Sequence, residues 1–234
     1  MIPLRDDQPT FSTPFINYFL IVANVLVFVW ELSVGMQSRG ALNAVMNEFG
    51  VVPRHTIAIL TGHSHADPAL ALLPILTSMF LHASFLHVAG NMLFLWIFGD
   101  NVEDYLGHFL YLVFYLASGF AASVTHILVN ANSRVPSVGA SGAIAGVLGA
   151  YFILYPRARV LVWFPPIFFF HVPAWLMLGY WFLANFLSGA ATAIAETTHG
   201  SGIAFWAHIG GFVAGVLLIK VLPERSHRYR YGSW

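Results

Sequence analysis

Six apolar stretches divide this chain, at residues 15–34, 86–98, 106–129, 142–155, 167–187 and 203–222. A stretch of roughly 20 apolar residues is what a helix needs to cross a bilayer. Of the 234 residues 58% are hydrophobic and only 9% charged, against about 25% charged in an ordinary soluble domain. Backbone in lipid must satisfy its own hydrogen bonds, so helices are the economical solution. The pattern therefore predicts an all-α, polytopic membrane protein: a six-transmembrane-helix bundle over 15–222, with tails at 1–14 and 223–234. The second and fourth stretches are short for a full span and require protein, not lipid, around them.

Between the first two stretches lies a long loop, 35–85, with apolar pieces at 56–60 and 69–76 that suit short interfacial helices. The acidic Asp6-Asp7 pair and the long span after Pro14 fit a retained first helix rather than a cleaved leader. Basic residues set the orientation. With a cytoplasmic N-terminus, Arg5, Arg157, Arg159, Lys220, Arg225, Arg228 and Arg230 fall inside, and Arg39, Arg54 and Arg134 outside. Both termini are thus expected to be cytoplasmic, in a plasma (inner) membrane. A net charge of zero implies no nucleic-acid partner, and the absence of cysteine excludes thiolate metal sites and a cysteine nucleophile.

Against this background, polar groups stand out. Ser141, in Gly139-Ala140-Ser141-Gly142, opens the fourth stretch, and His208 lies inside the sixth. Buried polar groups in lipid are costly without partners and point to function. Gly142, Gly146 and Ala150 recur every four residues, as do Ala207, Gly211 and Gly215, so each helix carries a small-residue stripe that permits close backbone approach. Packing alone explains the stripes; it does not explain the histidine beside one of them. If the stripes meet, Ser141 and His208 share one end of a tight helix pair. His87 and Asn91, four apart, point the same way on the second helix and could donate hydrogen bonds to an oxyanion, or simply glue helices. The segment is not the nucleophile elbow of soluble hydrolases, which wants glycine where Ala143 stands.

These three motifs, in this order on these spans, resemble the rhomboid intramembrane serine proteases over nearly the whole chain. The resemblance implies a rhomboid-like fold, with Ser141 as nucleophile, His208 as general base, and His87, Asn91 and the Ser141 backbone N–H as oxyanion donors. Gly139, Gly142, Gly146, Gly211 and Gly215 fall in its packing positions. It implies an enzyme without cofactor or metal that hydrolyses transmembrane protein substrates near the outer face, among membrane lipids. Two departures stand beside it. No Trp occurs between residues 35 and 85, where some members have a tryptophan–arginine pair. Ala145 occupies the place of a tyrosine that packs on the base in some members, so another side chain must hold His208.

No carboxylate falls within a turn of Ser141, His87 or His208 in sequence, which favours a serine–histidine dyad. Phe168, Phe169, Phe170, Trp175, Trp181, Phe182 and Phe186 make the fifth stretch either a lateral gate, with loop 188–202 as a cap, or a lipid-facing aromatic helix. His63, His65 and Asp67 read as a solvated loop rather than a metal site, and His126 and His171 as interfacial or hydrogen-bonded. A catalytically silent, client-binding relative is the alternative reading. A transporter is disfavoured, because neither distributed polar residues nor repeated halves are present.

Overall fold

The computed structural model describes residues 1–64, 67–194 and 204–225. His65, residues 195–202 of the expected cap, Ile203, Arg228, Arg230 and the tail beyond residue 225 lie outside the described residues. The chain forms a helical bundle: α1 (Phe15–Gln37), α2 (Arg39–Phe49), α3 (Pro53–Leu60), α4 (Ala69–Thr77), α5 (Phe85–Leu106), α6 (His108–Val129), α7 (Ser141–Leu154), α8 (Ala174–Ile194) and α9 (Phe205–Val221). Among the described residues, three helices, α1, α6 and α8, are long and apolar enough to cross a membrane. The pair 70–80 and 85–106, bent by 82°, makes a fourth if it is one span, and α7 and α9 are shorter apolar helices. The protein is a multi-pass membrane protein of helical architecture.

α7 is the hub. Its 14 residues rise about 21 Å, well short of a hydrocarbon core of about 30 Å. Every residue from Gly142 to Tyr151 is buried, so protein surrounds this short helix on all sides. α7 and α9 run parallel and pack through their small residues. A side chain at Gly211 would run into the carbonyl oxygen of Gly142, and one at Gly215 into that of Gly146. A β-carbon at Gly142 would come within 2.7 Å of that of Ala122 on α6. Larger residues at these positions would push three helices apart.

α5 runs eight residues beyond the expected end at Phe98, because its polar end has partners far away in sequence. Buried Glu103 accepts hydrogen bonds from the backbone N–H groups of Ile16 (3.0 Å) and Asn17 (2.7 Å), and so caps the first turn of α1. Asp104 accepts from the N–H of Phe11 at 3.0 Å and from the Ser12 hydroxyl. At the other end of α1, buried Glu31 accepts from the His82 N–H at 3.0 and 3.2 Å, which ties the long loop to the bundle. Within that loop the two apolar pieces are helical, as α3 and α4.

One feature departs from the purely helical expectation. β1 (Ile2–Asp6), β2 (Arg159–Phe164) and β3 (Phe168–Pro173) form an antiparallel sheet in the order β1-β2-β3. Phe168, Phe169 and Phe170, expected on the fifth helix, lie in β3 instead, and that helix starts at Ala174 and continues to Ile194, past the expected end at Leu187. The run Arg159-Val160-Leu161-Val162-Trp163-Phe164 alternates buried Val160 and Val162 with more exposed neighbours, the period of a half-buried strand. His171 is in β3, exposed, rather than in a helix.

The sheet, the polar end of α5 and the end of α9 gather at one end of the bundle. Asp7 N–H donates to Arg159 O (3.1 Å) and Arg225 N–H to Tyr105 O (2.8 Å). Ser141 opens α7 at the opposite end.

Candidate active site

Ser141 is the first residue of α7, where backbone N–H groups have no intrahelical acceptor. The approach to it is set by Gly139, whose φ of +129° lies in the region that glycine alone adopts readily. A β-carbon there would also come within 2.7 Å of Cε1 of His87, so the imidazole rests on the glycine. Gly139 N–H donates to Ser78 O at 2.8 Å, anchoring the turn to the segment before α5.

His208 stands one turn into α9, its Nε2 2.8 Å from the Ser141 hydroxyl. The close passage of Gly211 against Gly142 brings the two residues to this distance. On its other side, Nδ1 of His208 lies 2.6 Å from Oδ1 of Asn185 on α8. The Trp181 ring, one turn before Asn185, packs beside the imidazole with centroids 5.6 Å apart. With Ala145 in place of a tyrosine, two side chains of α8 thus hold the imidazole. The sequence does not single out Asn185, which stands among the aromatic residues of the fifth stretch. The signal was there: a carboxamide in an apolar helix needs a partner.

His87 and Asn91, on the first turns of α5, line the same cavity as Ser141 and His208, a space of about 560 Å³ between the helices. Asn91 is buried, and its Nδ2 lies 2.9 Å from Nε2 of His82. The His82 and His87 rings meet edge to face at 5.1 Å. One N–H of the Asn91 carboxamide is therefore engaged and fixes the group, while a second remains for other use. Exposed Leu86 and Ser84 stand at the cavity's rim, and Trp181 forms part of its wall. A pocket of this size has room for water beside the serine although the helices around it are apolar.

The remaining histidines are placed elsewhere. His126 on α6 lines the cavity and lies 3.3 Å from Nδ2 of Asn130 through its Nδ1. His63 Nδ1 pairs with the Thr61 hydroxyl at 2.8 Å. Among the described residues, no three histidine, aspartate or glutamate side chains gather in a metal-binding arrangement. Of the bulky residues on α8, the Phe182 ring lies 4.8 Å from that of Phe212 and the Phe186 ring meets Trp206 edge to face at 6.3 Å, both on α9, whereas Trp175 is exposed. α8 therefore has one face on α9 and one turned outward.

The family model for the rhomboid domain matches residues 70–225, a stretch that includes every residue of this cavity apart from Val51. The chain is similar to Rhomboid protein 1, mitochondrial, of Saccharomyces cerevisiae: 34% identical over 178 residues, covering 72% of this chain and 49% of that protein. It is 34% identical over 152 residues to the human Presenilin-associated rhomboid-like protein, mitochondrial, covering 58% of this chain and 40% of the relative. RHOMBOID-like protein 12, mitochondrial, of Arabidopsis thaliana is 32% identical over 174 residues, covering 67% and 48%. The chain spans about half the length of the curated relatives it matches. With the match extending over the bundle's central helices and the cavity between them, the chain belongs to the rhomboid family.

Proposed function

We propose that this protein is an intramembrane serine endopeptidase that cleaves membrane-anchored protein substrates with a Ser141–His208 dyad. The observation that carries the reading is the 2.8 Å approach of His208 Nε2 to the Ser141 hydroxyl inside a cavity large enough for water and a peptide segment. Nε2 takes the hydroxyl proton as Oγ bonds to the scissile carbonyl carbon. The negative charge that develops on the carbonyl oxygen meets His87, Asn91 and the Ser141 N–H, at a helix N-terminus that favours it. Nε2 then returns the proton to the departing amine nitrogen as the C–N bond breaks. Water, losing a proton to Nε2, releases the acyl group and restores the serine.

The reading extends to topology. Six helices, α1, α5, α6, α7, α8 and α9, cross the membrane as one domain over 15–222, with α7 and α9 sheltered by their neighbours. The pairing of β1 with β2 supports a common side for the N-terminus and the α7–α8 connection, with four of these helices between them. Arg5, Arg157, Arg159, Lys220 and Arg225 belong to that end, which we assign to the cytoplasmic side of a plasma membrane, together with the tails 1–14 and 223–234. Arg54 and Arg134 flank the opposite end, where Arg54 N–H donates to Ser133 O at 3.0 Å. Substrate helices then meet the dyad near the outer face, entering from the lipid. No cofactor, metal or nucleic acid takes part.

Reconstitution in lipid vesicles with a membrane-anchored reporter tests the assignment. Cleavage is expected with the unaltered chain and abolished by Ser141→Ala or His208→Ala; unchanged turnover in either variant overturns it.

A further inference from the structure

We infer that Asn185 is the positioning residue of the dyad: from α8 it fixes the tautomer and orientation of His208, so that the base is correctly set only while α8 is docked on α9. The inference rests on the proteolytic reading above and adds to it a third group and a source of control.

Two nitrogen atoms, Nδ2 of Asn185 and Nδ1 of His208, decide where the protons lie. Nδ2 of Asn185 donates to the carbonyl oxygen of Trp181 at 2.8 Å. A carbonyl only accepts, so this bond fixes which end of the carboxamide points which way. The atom facing His208, 2.6 Å from its Nδ1, is therefore the amide oxygen, also an acceptor only. Nδ1 must carry the hydrogen. In a neutral imidazole the other nitrogen is then bare, and Nε2, 2.8 Å from the Ser141 hydroxyl, is free to accept its proton. The opposite tautomer would set two acceptors against each other at Asn185 and a second donor against the serine. When the ring becomes an imidazolium, the same Nδ1–H···Oδ1 bond remains and is strengthened by the charge.

This group sits on a different helix from both members of the dyad. Ser141 is on α7 and His208 on α9, whereas Asn185 and the neighbouring Trp181 come from α8. α8 contacts α9 far more than α7, and its other face is exposed. Any outward movement of α8 that admits a substrate from the lipid withdraws Asn185 from Nδ1. The base then loses its fixed tautomer until α8 returns. Access and competence are coupled through one hydrogen bond.

The test uses the full chain in lipid vesicles, with the reporter assay, its pH profile and thermal unfolding measured together on Asn185→Leu and Asn185→Asp, beside Ser141→Ala. Asn185→Leu keeps the volume and removes the acceptor; kcat is expected to fall about ten- to a hundred-fold with KM little changed. Asn185→Asp keeps an acceptor and adds a negative charge beside the imidazole. It is expected to retain activity at alkaline pH, while the acid limb of the kcat/KM profile moves to higher pH. A folded Asn185→Leu protein with unaltered kcat overturns the inference. An acid limb unmoved in Asn185→Asp overturns it equally, whether or not the leucine variant folds. If either happens while Ser141→Ala is inactive, only the role of Asn185 fails; an active Ser141→Ala removes the dyad itself.

Discussion

Gly211 on α9 lies directly against the carbonyl oxygen of Gly142 on α7, one residue after Ser141 and three after His208. No side chain fits between the two backbones at this point. Because the helices run parallel with small residues every four positions, the next contact, Gly215 against Gly146, keeps the same register. The serine and the histidine, 67 positions apart in sequence, are brought to 2.8 Å by this contact.

Widening the contact should therefore separate the dyad. Gly211→Val forces the helices apart at Gly142 and should destabilise the fold by about 1–3 kcal/mol, the usual range for overpacking. Thermal unfolding in detergent measures that loss, and reporter cleavage should fall more steeply than the folded fraction. Wild-type cleavage by Gly211→Val would contradict the role given to the contact.

As proposed, His87 and Asn91 donate to the oxyanion, and such donors act on the transition state rather than on binding. Asn91→Ala is expected to lower kcat by about 100- to 1,000-fold, some 3 kcal/mol, with KM little altered. His82→Ala leaves Asn91 without the partner that holds its carboxamide at 2.9 Å, so a smaller fall in kcat should follow. Steady-state kinetics on the two variants and on His87→Ala check the order.

Much of this site was legible because its chemistry is expensive where it lies. Ser141, His208, His87 and Asn91 stand in apolar stretches, and polar groups there need a reason. The stripes of glycine told which helices could approach, since spacing of four is a property of the helix itself. What escaped was fixed by partners remote in sequence. The end of α5 looked like a helix terminus because Asp100, Asn101, Glu103 and Asp104 are polar; it continues because Glu103 and Asp104 find N–H groups at Phe11, Ile16 and Asn17. β3 escaped because residues 168–170 are three phenylalanines running into an apolar helix, with no period to separate strand from helix. Asn185 is a single polar residue whose meaning lies in a histidine 23 positions away.

Gly139 links backbone shape to the site. Gly139→Ala places a β-carbon within 2.7 Å of the His87 ring and requires φ of +129°, a conformation that alanine resists. Cleavage should fall at least ten-fold while the melting temperature drops only a few degrees. Equal losses of activity and folded protein would show the glycine to be structural alone.

Glu103 is the converse case, remote from the chemistry. Glu103→Ala leaves the Ile16 and Asn17 N–H groups without their carboxylate, and about 2 kcal/mol of stability should be lost. The rate of cleavage per folded molecule should stay close to that of the unaltered chain, as measured by activity normalised to the folded fraction. A selective loss of turnover would contradict the separation of cap and site.

Ser141 is proposed here as a nucleophile activated by His208. Its most direct measurement is covalent labelling by a fluorophosphonate probe, with the modified residue identified by mass spectrometry of the protein in lipid vesicles. A single adduct on Ser141 is expected, absent from Ser141→Ala and strongly slowed in His208→Ala. Labelling at another residue, or labelling of Ser141 at an undiminished rate without His208, would contradict it.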